Sequence, residues 1–328
     1  MKTKGTAGGK AGAAGGRPKA SPLAFTWLGK RGRRGGAGRG YRHFLEDDVP
    51  PSPPAKARFH IIPVPYEHSV SYGGGTADGP RAILEASVQL EAFDGTDVPG
   101  RAGLYTAPPV ACAKLSPERM IKTVARAVHG ALAHRAVPVV LGGEHTVTLG
   151  PVAALMAVGQ PFGVVQFDAH ADLREAYGGT PYSHACVMRR IVEKGIPVCQ
   201  IGVRSCSAAE HEFRTRRRLP RLDAVEIARH GVPAQVLPKG FPRNLYITFD
   251  IDAFDSSLMP ATGTPEPGGL FWFEAIFLLE RVIRGRNVLG FDVVELAPMP
   301  GLAACDFAAA KLAYAIMGMV NRLGMREA

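Results

Sequence analysis

The chain has 328 residues, of which 46% are hydrophobic and 21% are charged. This balance is typical of a globular protein, and it excludes fibrous and wholly disordered classes. The net charge of +10 is concentrated in residues 1–45, which carry eleven basic residues and no acidic one, so the rest of the chain is close to neutral and is not predicted to bind nucleic acid.

Residues 1–56 are predicted to be a tail and a linker. Residues 1–45 are rich in glycine and show no apolar periodicity, which predicts disorder. Residues 46–56 contain Val-Pro-Pro-Ser-Pro-Pro, a composition typical of a stiff linker. The arginine–glycine segment at 31–36 resembles RNA-contacting arms, so a non-catalytic RNA-binding protein is one alternative. Residues 57–328 are predicted to form a single folded domain.

From residue 58 onward, short β-branched runs alternate with helical patterns. The predicted strands are 59–64, 138–141, 163–167, 198–203, 245–251 and 288–294. The predicted helices are 80–91, a helix starting at 117 behind the N-cap Ser116, 183–193, 273–284 and 307–322. This alternation predicts an α/β fold with a parallel sheet covered on both faces and a site at the carboxyl ends of the strands.

Polar side chains cluster directly after three of these strands. They are His145, Asp168, His170, Asp172, Asp250 and Asp252. In extended backbone, side chains two residues apart point the same way, so each group can converge on one spot. Unpaired charges in a buried crevice would cost several kcal/mol each, which indicates that positive ions compensate them.

Four aspartates and two histidines without cysteine form an oxygen-rich ligand set. This set suits Mn²⁺ better than Zn²⁺. Six ligands are too many for one catalytic ion and favour a pair of ions about 3.5–4 Å apart. The glycine-rich segment 73–76 lacks the Gly-Lys-Ser/Thr ending of a nucleotide-binding loop, so no organic cofactor is predicted.

The five cysteines are scattered and never spaced as Cys-x-x-Cys, which argues against disulfides and a thiolate zinc site. A reducing, cytoplasmic location fits this pattern. No membrane span is predicted, because the apolar run from 302 to 320 is interrupted by Asp306 and Lys311.

Four motifs together resemble those of the ureohydrolases, the arginase and agmatinase family. They are Leu-Gly-Gly-Glu-His at 141–145, Asp-Ala-His-Ala-Asp at 168–172, Phe-Asp-Ile-Asp-Ala at 249–253 and Ala-Thr-Gly-Thr-Pro-Glu-Pro-Gly-Gly at 261–269. The resemblance implies a three-layer α/β/α domain with an eight-stranded, mainly parallel sheet and two Mn²⁺ ions. It also implies a homo-oligomer, either a trimer or a hexamer.

The resemblance assigns roles to single residues. One ion would be held by His145, Asp168, Asp172 and Asp250, and the other by His170, Asp168, Asp250 and Asp252, so that Asp168 and Asp250 bridge. The expected catalytic residues are Asp172, Glu295 and His184. Glu295 matches the glutamate that binds the guanidinium group, and His184 matches the histidine that transfers a proton. Water activated by the metals would attack the guanidinium carbon and release urea and an amine.

The segment 201–207, Ile-Gly-Val-Arg-Ser-Cys-Ser, departs from arginases, which carry aspartates here to hold the α-ammonium of arginine. Serines replace them, which disfavours arginine as the substrate. The resemblance therefore implies an agmatinase that makes putrescine for polyamine biosynthesis. The alternatives are a guanidinobutyrase or another guanidino-acid amidinohydrolase, and a zinc acetylpolyamine deacetylase of related fold.

Overall fold

A computed structural model describes residues 41–325 of the chain, and its centre is one eight-stranded sheet. The strands are β1 (Phe59–Val64), β2 (Leu104–Thr106), β3 (Val137–Gly142), β4 (Gly163–Phe167), β5 (Val198–Ile201), β6 (Arg221–Leu222), β7 (Asn244–Asp250) and β8 (Asn287–Val294). Their order in the sheet is β2-β1-β3-β8-β7-β4-β5-β6, and every pair is parallel. The predicted α/β class with a parallel sheet is confirmed.

Helices cover both faces of the sheet. They are α1 (Gly79–Ser87), α2 (Pro117–Ala133), α3 (Leu149–Val158), α4 (Val187–Glu193), α5 (Ala208–Arg217), α6 (Ala224–His230), α7 (Trp272–Ile283) and α8 (Ala303–Leu323). On one face, Phe167 and Phe249 pack in a core with α1, α7 and α8. On the other, Val164 and Tyr246 pack with α3 and α4, and Val140 packs with α2. Alternate strand residues therefore belong to different cores, as a three-layer fold requires.

Several short or unusual elements were not predicted from the sequence. Strands β2 and β6 have three and two residues at the sheet edges, too short for a periodic signal. Helix α3 is apolar on all sides and shows no stripe. Helix α5 is mostly polar, yet its Arg214 is only 2% exposed. An ion pair with Asp223 at 2.6 Å compensates the charge of this buried side chain.

The segment 41–56, predicted as the end of the tail and a linker, packs against the sheet edge. Phe44 and Leu45 are fully buried in the same core as α1 and α8. The Phe44 amide donates to Thr106 Oγ1, and the Ser52 amide donates to the Leu104 carbonyl. Two adjacent apolar residues between polar ones give no periodic signal, so the sequence did not show this contact. The rest of the predicted tail, 1–40, lies outside the described residues.

Within residues 41–325, α8 is long and apolar enough to cross a membrane by length and composition. Of the apolar window of this helix, 61% is buried inside the protein, where the helix packs against α1, α7 and β8. Burial of this kind is typical of a core helix.

Candidate metal centre

The predicted ligands lie at the carboxyl ends of β3, β7 and β4, which with β8 are the four central strands of the sheet. Phe167 at the end of β4 pairs with Phe249 of β7, so Asp168 and Asp250 follow side by side. Asp250 in turn pairs with the last residue of β8, and Glu295 comes directly after it. The parallel register therefore brings together residues that are far apart in the chain.

His145 reaches the cluster from the turn after β3. This turn passes very close to another segment, because a Cβ atom on Gly143 would lie 2.0 Å from the Tyr66 carbonyl oxygen. Only glycine fits there. A short 3₁₀ helix, His145–Thr148, follows directly and directs the imidazole toward the ends of β4 and β7.

His145 and three carboxylates form the first ligand group. Nδ1 of His145 lies 2.9 Å from Asp172 Oδ2, 3.2 Å from Asp168 Oδ2 and 3.3 Å from Asp250 Oδ2. All four side chains are buried. Asp172 adopts a left-handed backbone conformation, with φ of 52°, which is uncommon for a residue with a side chain and is often found at functional sites.

His170 forms the second ligand group on the other side of Asp168. Its Nδ1 lies 3.0 Å from Asp252 Oδ2 and 3.6 Å from Asp168 Oδ1. Candidate ligand atoms of Asp168, His170 and Asp252 all lie within 4.8 Å of one another, as do those of His145, Asp168 and Asp250. Asp168 is shared, so the structure forms two adjoining groups, and Asp168 stands where a bridging ligand is predicted.

The pKa values of the cluster show how strongly its buried carboxylates repel one another. Burial and the charge of Asp168 raise the pKa of Asp172 to about 7. Burial and the charges of Asp252 and Asp168 raise the pKa of Asp250 well above its ordinary value. Burial alone would lower the pKa of His170, but its bonds to Asp168 and Asp252 raise it to about 12. Without cations the cluster therefore retains protons, which bound metal ions would replace.

The tautomer of His145 suits a metal ligand. Thr248 Oγ1 donates to Asp292 Oδ1 at 2.6 Å, so toward His145 Nε2, 2.9 Å away, it acts as the acceptor. Nε2 therefore carries a proton, and Nδ1 is the nitrogen that faces the three carboxylates. Without a metal these carboxylates raise the pKa of His145 and hold a proton on Nδ1. A divalent cation at this position would replace that proton and bind the Nδ1 lone pair.

Polar residues in the strands below support the ligands. Gln166 Nε2 donates to Asp168 Oδ2 at 2.6 Å, and Gln200 Nε2 donates to Gln166 Oε1. Sequence reasoning missed these residues and Thr248. A signal was present, because Gln166 and Thr248 are polar residues in otherwise apolar strands, each two positions before an aspartate on the same face.

Glu295 lies against the cluster with its backbone in the left-handed region, at φ of 65°. Its Oε1 accepts the amide of His145 at 2.6 Å, and its own amide donates to the Gly143 carbonyl. The side chain is 8% exposed and lines the same cavity as the ligands. Burial raises the pKa of Glu295 well above its ordinary value, so a cationic partner would favour its charged form.

His184 lines the same cavity, in the 3₁₀ turn before α4. Its Nε2 is 2.9 Å from Ser71 Oγ and its Nδ1 is 3.1 Å from Ser69 Oγ, while the edge of its ring meets Tyr177. Burial lowers the pKa of His184, which favours the neutral ring that can accept a proton.

Part of the cavity wall is formed by Ser205, Cys206 and Ser207, directly before α5. Ser207 is committed elsewhere, because its amide and its hydroxyl both donate to Glu210 Oε2, at 2.8 and 2.7 Å. The other oxygen of Glu210 accepts the Leu173 amide. Ser207 and Glu210 therefore form the N-terminal capping box of α5, and their polar atoms already have hydrogen-bond partners.

Arg204 joins the loop of Asp252 to the loop that carries Glu266. Its guanidinium nitrogens donate to six carbonyl oxygens, those of Gly202, Asp252, Ala253, Phe254, Glu266 and Pro267. The charge compensates a concentration of backbone acceptors beside the second ligand group. Sequence reasoning passed over this residue because an arginine after a strand has no distinctive pattern.

Comparisons with known proteins match this fold and this site. Residues 57–318 match the Arginase family. The N(1)-aminopropylagmatine ureohydrolase of Synechocystis sp. is 37% identical over 288 residues, covering 85% of this chain and 94% of the relative. The agmatinase of Pyrococcus horikoshii is 34% identical over 297 residues, covering 86% and 98%.

A solved structure agrees with these matches. The crystal structure of the agmatine ureohydrolase of Thermoplasma volcanium superposes with a TM-score of 0.75 at 28% identity, covering 87% of this chain and 97% of that one. The family match spans most of the chain, and the relatives are covered almost completely. The chain therefore belongs to the arginase family of ureohydrolases, which are hydrolases acting on guanidino groups.

Proposed function

We propose that this chain hydrolyses the guanidinium group of agmatine, or of a closely related guanidino amine, to urea and an amine; agmatine itself would give putrescine. The observation that carries the proposal is the buried cluster of His145, Asp168 and Asp250 with the carboxylate of Glu295 beside it. A cation-binding carboxylate next to a metal centre suits a planar, positively charged substrate.

We infer that the cluster holds two Mn²⁺ ions. Bound divalent ions lower the pKa of water and so supply the nucleophile near neutral pH. One group of ligands would be His145, Asp168, Asp172 and Asp250, and the other His170, Asp168, Asp250 and Asp252. The absence of cysteine from both groups supports manganese over zinc, as does the majority of oxygen ligands.

The side chains around the centre have separate tasks in this reaction. Glu295 binds the guanidinium through charge-assisted hydrogen bonds and orients its carbon. His184 accepts a proton as water adds to that carbon, and it returns the proton to the amine nitrogen when the C–N bond breaks. Asp172 belongs to the same ligand group as His145. Its carboxylate, 2.9 Å from His145 Nδ1, contributes negative charge that holds the metal ion of that group.

The far end of the substrate is read by the wall around Ser205 and Ser207. Arginine carries an α-ammonium that needs a carboxylate partner, and the carboxylate beside this wall, on Glu210, already accepts hydrogen bonds from Ser207 and Leu173. This supports an amine tail without an amino-acid head group. A second candidate substrate, N(1)-aminopropylagmatine, is favoured by the name of the Synechocystis relative.

The decisive experiment is a urea assay on the purified chain after chelation and addition of Mn²⁺. We expect urea from agmatine or N(1)-aminopropylagmatine, and much less from arginine. Preferred turnover of 4-guanidinobutyrate would change the substrate to a guanidino acid. Release of acetate from acetylated polyamines with zinc, and no urea from any guanidino compound, would replace the proposal with the deacetylase alternative.

Three properties remain predictions that accompany this function. They are a role in polyamine biosynthesis, a cytoplasmic location and assembly into a trimer or hexamer. The location is predicted from the scattered spacing of the five cysteines in the sequence. Size-exclusion chromatography with light scattering measures the oligomeric state directly.

A further inference from the structure

A buried carboxylate, Glu144, lies immediately before the metal ligand His145 and does not point into the metal cluster. Its side chain is fully buried. Oε2 accepts the amides of His68 and Ser69, at 2.5 and 2.6 Å, and Oε1 accepts the Ser69 hydroxyl at 3.0 Å. A buried carboxylate held by three neutral donors is a strong acceptor with a fixed direction.

Ser69 connects Glu144 to His184. A serine hydroxyl has one proton, and Ser69 donates it to Glu144, so its oxygen acts as an acceptor toward other groups. The backbone amide of His184 donates to this oxygen at 3.1 Å, and Nδ1 of the same residue lies 3.1 Å from it. An acceptor opposite Nδ1 requires that Nδ1 carry the proton.

This arrangement determines which nitrogen of His184 faces the reaction. With the proton on Nδ1, the lone pair is on Nε2, which lies 2.9 Å from Ser71 Oγ in the wall of the cavity. Ser71 Oγ donates to the hydroxyl of Tyr177 at 3.0 Å. Two hydroxyls can exchange donor and acceptor roles, so Ser71 can donate to Nε2, whereas Glu144 can only accept and fixes the direction of Ser69. The lone pair of Nε2 therefore lies on the side of the ring that faces Ser71 and the wall of the cavity.

We propose that Glu144 and Ser69 are positioning residues that hold His184 as the Nδ1–H tautomer, so that Nε2 accepts and returns the proton during hydrolysis. The role of Nε2 in proton transfer rests on the proposed function. The tautomer of His184 rests on the hydrogen-bond geometry alone. During the reaction Nε2 takes one proton from water and gives one to the amine, so Nδ1–H and Glu144 stay unchanged.

The substitution that isolates the link is Ser69→Ala. It removes the hydroxyl but leaves both backbone amides on Glu144. Ser69→Thr restores a hydroxyl on the same atom and is the conservative rescue. Ser71→Ala removes the hydroxyl on the opposite side of the ring and is the matched control for the tautomer.

The test uses the full-length chain with ¹⁵N-labelled histidine, loaded with diamagnetic Zn²⁺ and again after chelation. Long-range ¹H–¹⁵N correlations report the tautomer of His184, assigned by its loss in His184→Gln. We expect Nδ1–H in the unaltered chain, in Ser69→Thr and in Ser71→Ala, and a shift toward Nε2–H in Ser69→Ala. With Mn²⁺, Ser69→Ala should lower kcat about tenfold or more with KM and bound metal unchanged.

An Nε2–H ring in the unaltered chain would overturn the proposal. So would an unchanged tautomer, or an unchanged kcat, in Ser69→Ala. The spectra do not depend on turnover, so a chain that releases no urea would refute the proposed function while the tautomer result stood on its own.

Discussion

Thr248 Oγ1 lies 2.9 Å from Nε2 of His145 and donates a hydrogen bond to Asp292, which is completely buried. Asp292 also accepts the hydroxyls of Thr148 and Tyr246, both at 2.8 Å. Three hydroxyl donors on one carboxylate leave Thr248 free only to accept. Burial raises the pKa of Asp292, and these donors oppose that effect. The network therefore controls the tautomer of His145, a candidate metal ligand, from within the sheet below it.

Thr248→Val should weaken metal binding about 10–100-fold, because His145 would lose the acceptor that keeps its proton on Nε2. Thr248→Ser keeps a hydroxyl at the same place and is the matched control. Titration calorimetry with Mn²⁺ on the chelated chain measures the affinity. Equal affinity in the valine and serine variants would contradict the role of this hydroxyl.

Asp168→Asn should remove bound metal and turnover together, because Asp168 belongs to both ligand groups. Asp47→Asn changes an exposed aspartate and serves as the control. Metal analysis of the purified variants, together with the urea assay, checks this. Wild-type activity in Asp168→Asn would refute a bridging role.

Glu295→Gln should lower kcat/KM for a guanidino substrate about 10–100-fold, since a neutral amide cannot form charge-assisted bonds to a cation. The bound metal should be unchanged, because Glu295 contacts the amide of His145 and not its ring. Glu85→Gln, on the exposed side of α1, is the control. Steady-state kinetics and metal analysis distinguish substrate binding from loss of metal.

Arg204→Ala should destabilise the fold by about 3 kcal/mol, because buried carbonyl oxygens would lose a charged donor. It should also weaken binding of the second ion, since Arg204 donates to the carbonyl of Asp252 at 2.8 Å. Arg204→Lys keeps the charge but not the planar fork, and we expect partial recovery. Arg126→Ala, on the exposed face of α2, is the control in urea denaturation.

The metal-free chain should become less stable as the pH rises from about 6 to 8. The pKa of Asp172 is raised to about 7 by burial and by Asp168, so the folded state holds a proton that the unfolded state has released. A group of this kind contributes stability at low pH and loses it as the pH passes its folded pKa. The raised pKa values of Asp250, His145 and His170 act in the same direction.

Bound Mn²⁺ should cancel this loss, because the ions replace the protons that the cluster otherwise retains. Thermal unfolding of the chelated and loaded chain across this pH range measures both effects. A chelated chain that gains stability toward pH 8 would contradict the charge balance described for the cluster.

The sequence predicted the parts of the molecule that have a strong local pattern. Strands β1 and β4 have the predicted bounds, and the ligands lie at strand ends where alternation placed them. The parallel register of β4, β7 and β8 then brings these residues together, as the general rules of α/β folds predict. The positions of Glu295 and His184 depended on the resemblance, because neither residue has a distinctive local pattern.

What could not be predicted depends on contacts between distant segments. Thr248 and Asp292 are 44 residues apart and become partners only when β7 and β8 pair. Phe44 is buried because it meets the sheet edge, not because its neighbours are apolar. Helix α5 packs with a buried Arg214 whose charge is paired with the partly exposed Asp223. A polar sequence does not show that such a pair will form.

The place of β8 in the sheet has a consequence for synthesis of the chain. This strand comes last in sequence among the eight, yet it lies between β3 and β7 and is the neighbour of both. While the ribosome is still adding residues before 287, the two halves of the sheet have no strand to join them, and His145 has no fixed distance to Asp168 and Asp250. Long-range pairing of this kind is slow and comes late. The ligand group of His145 should therefore be completed only after β8 has been synthesised, whereas Asp168, His170 and Asp252 follow strands that pair with each other without it.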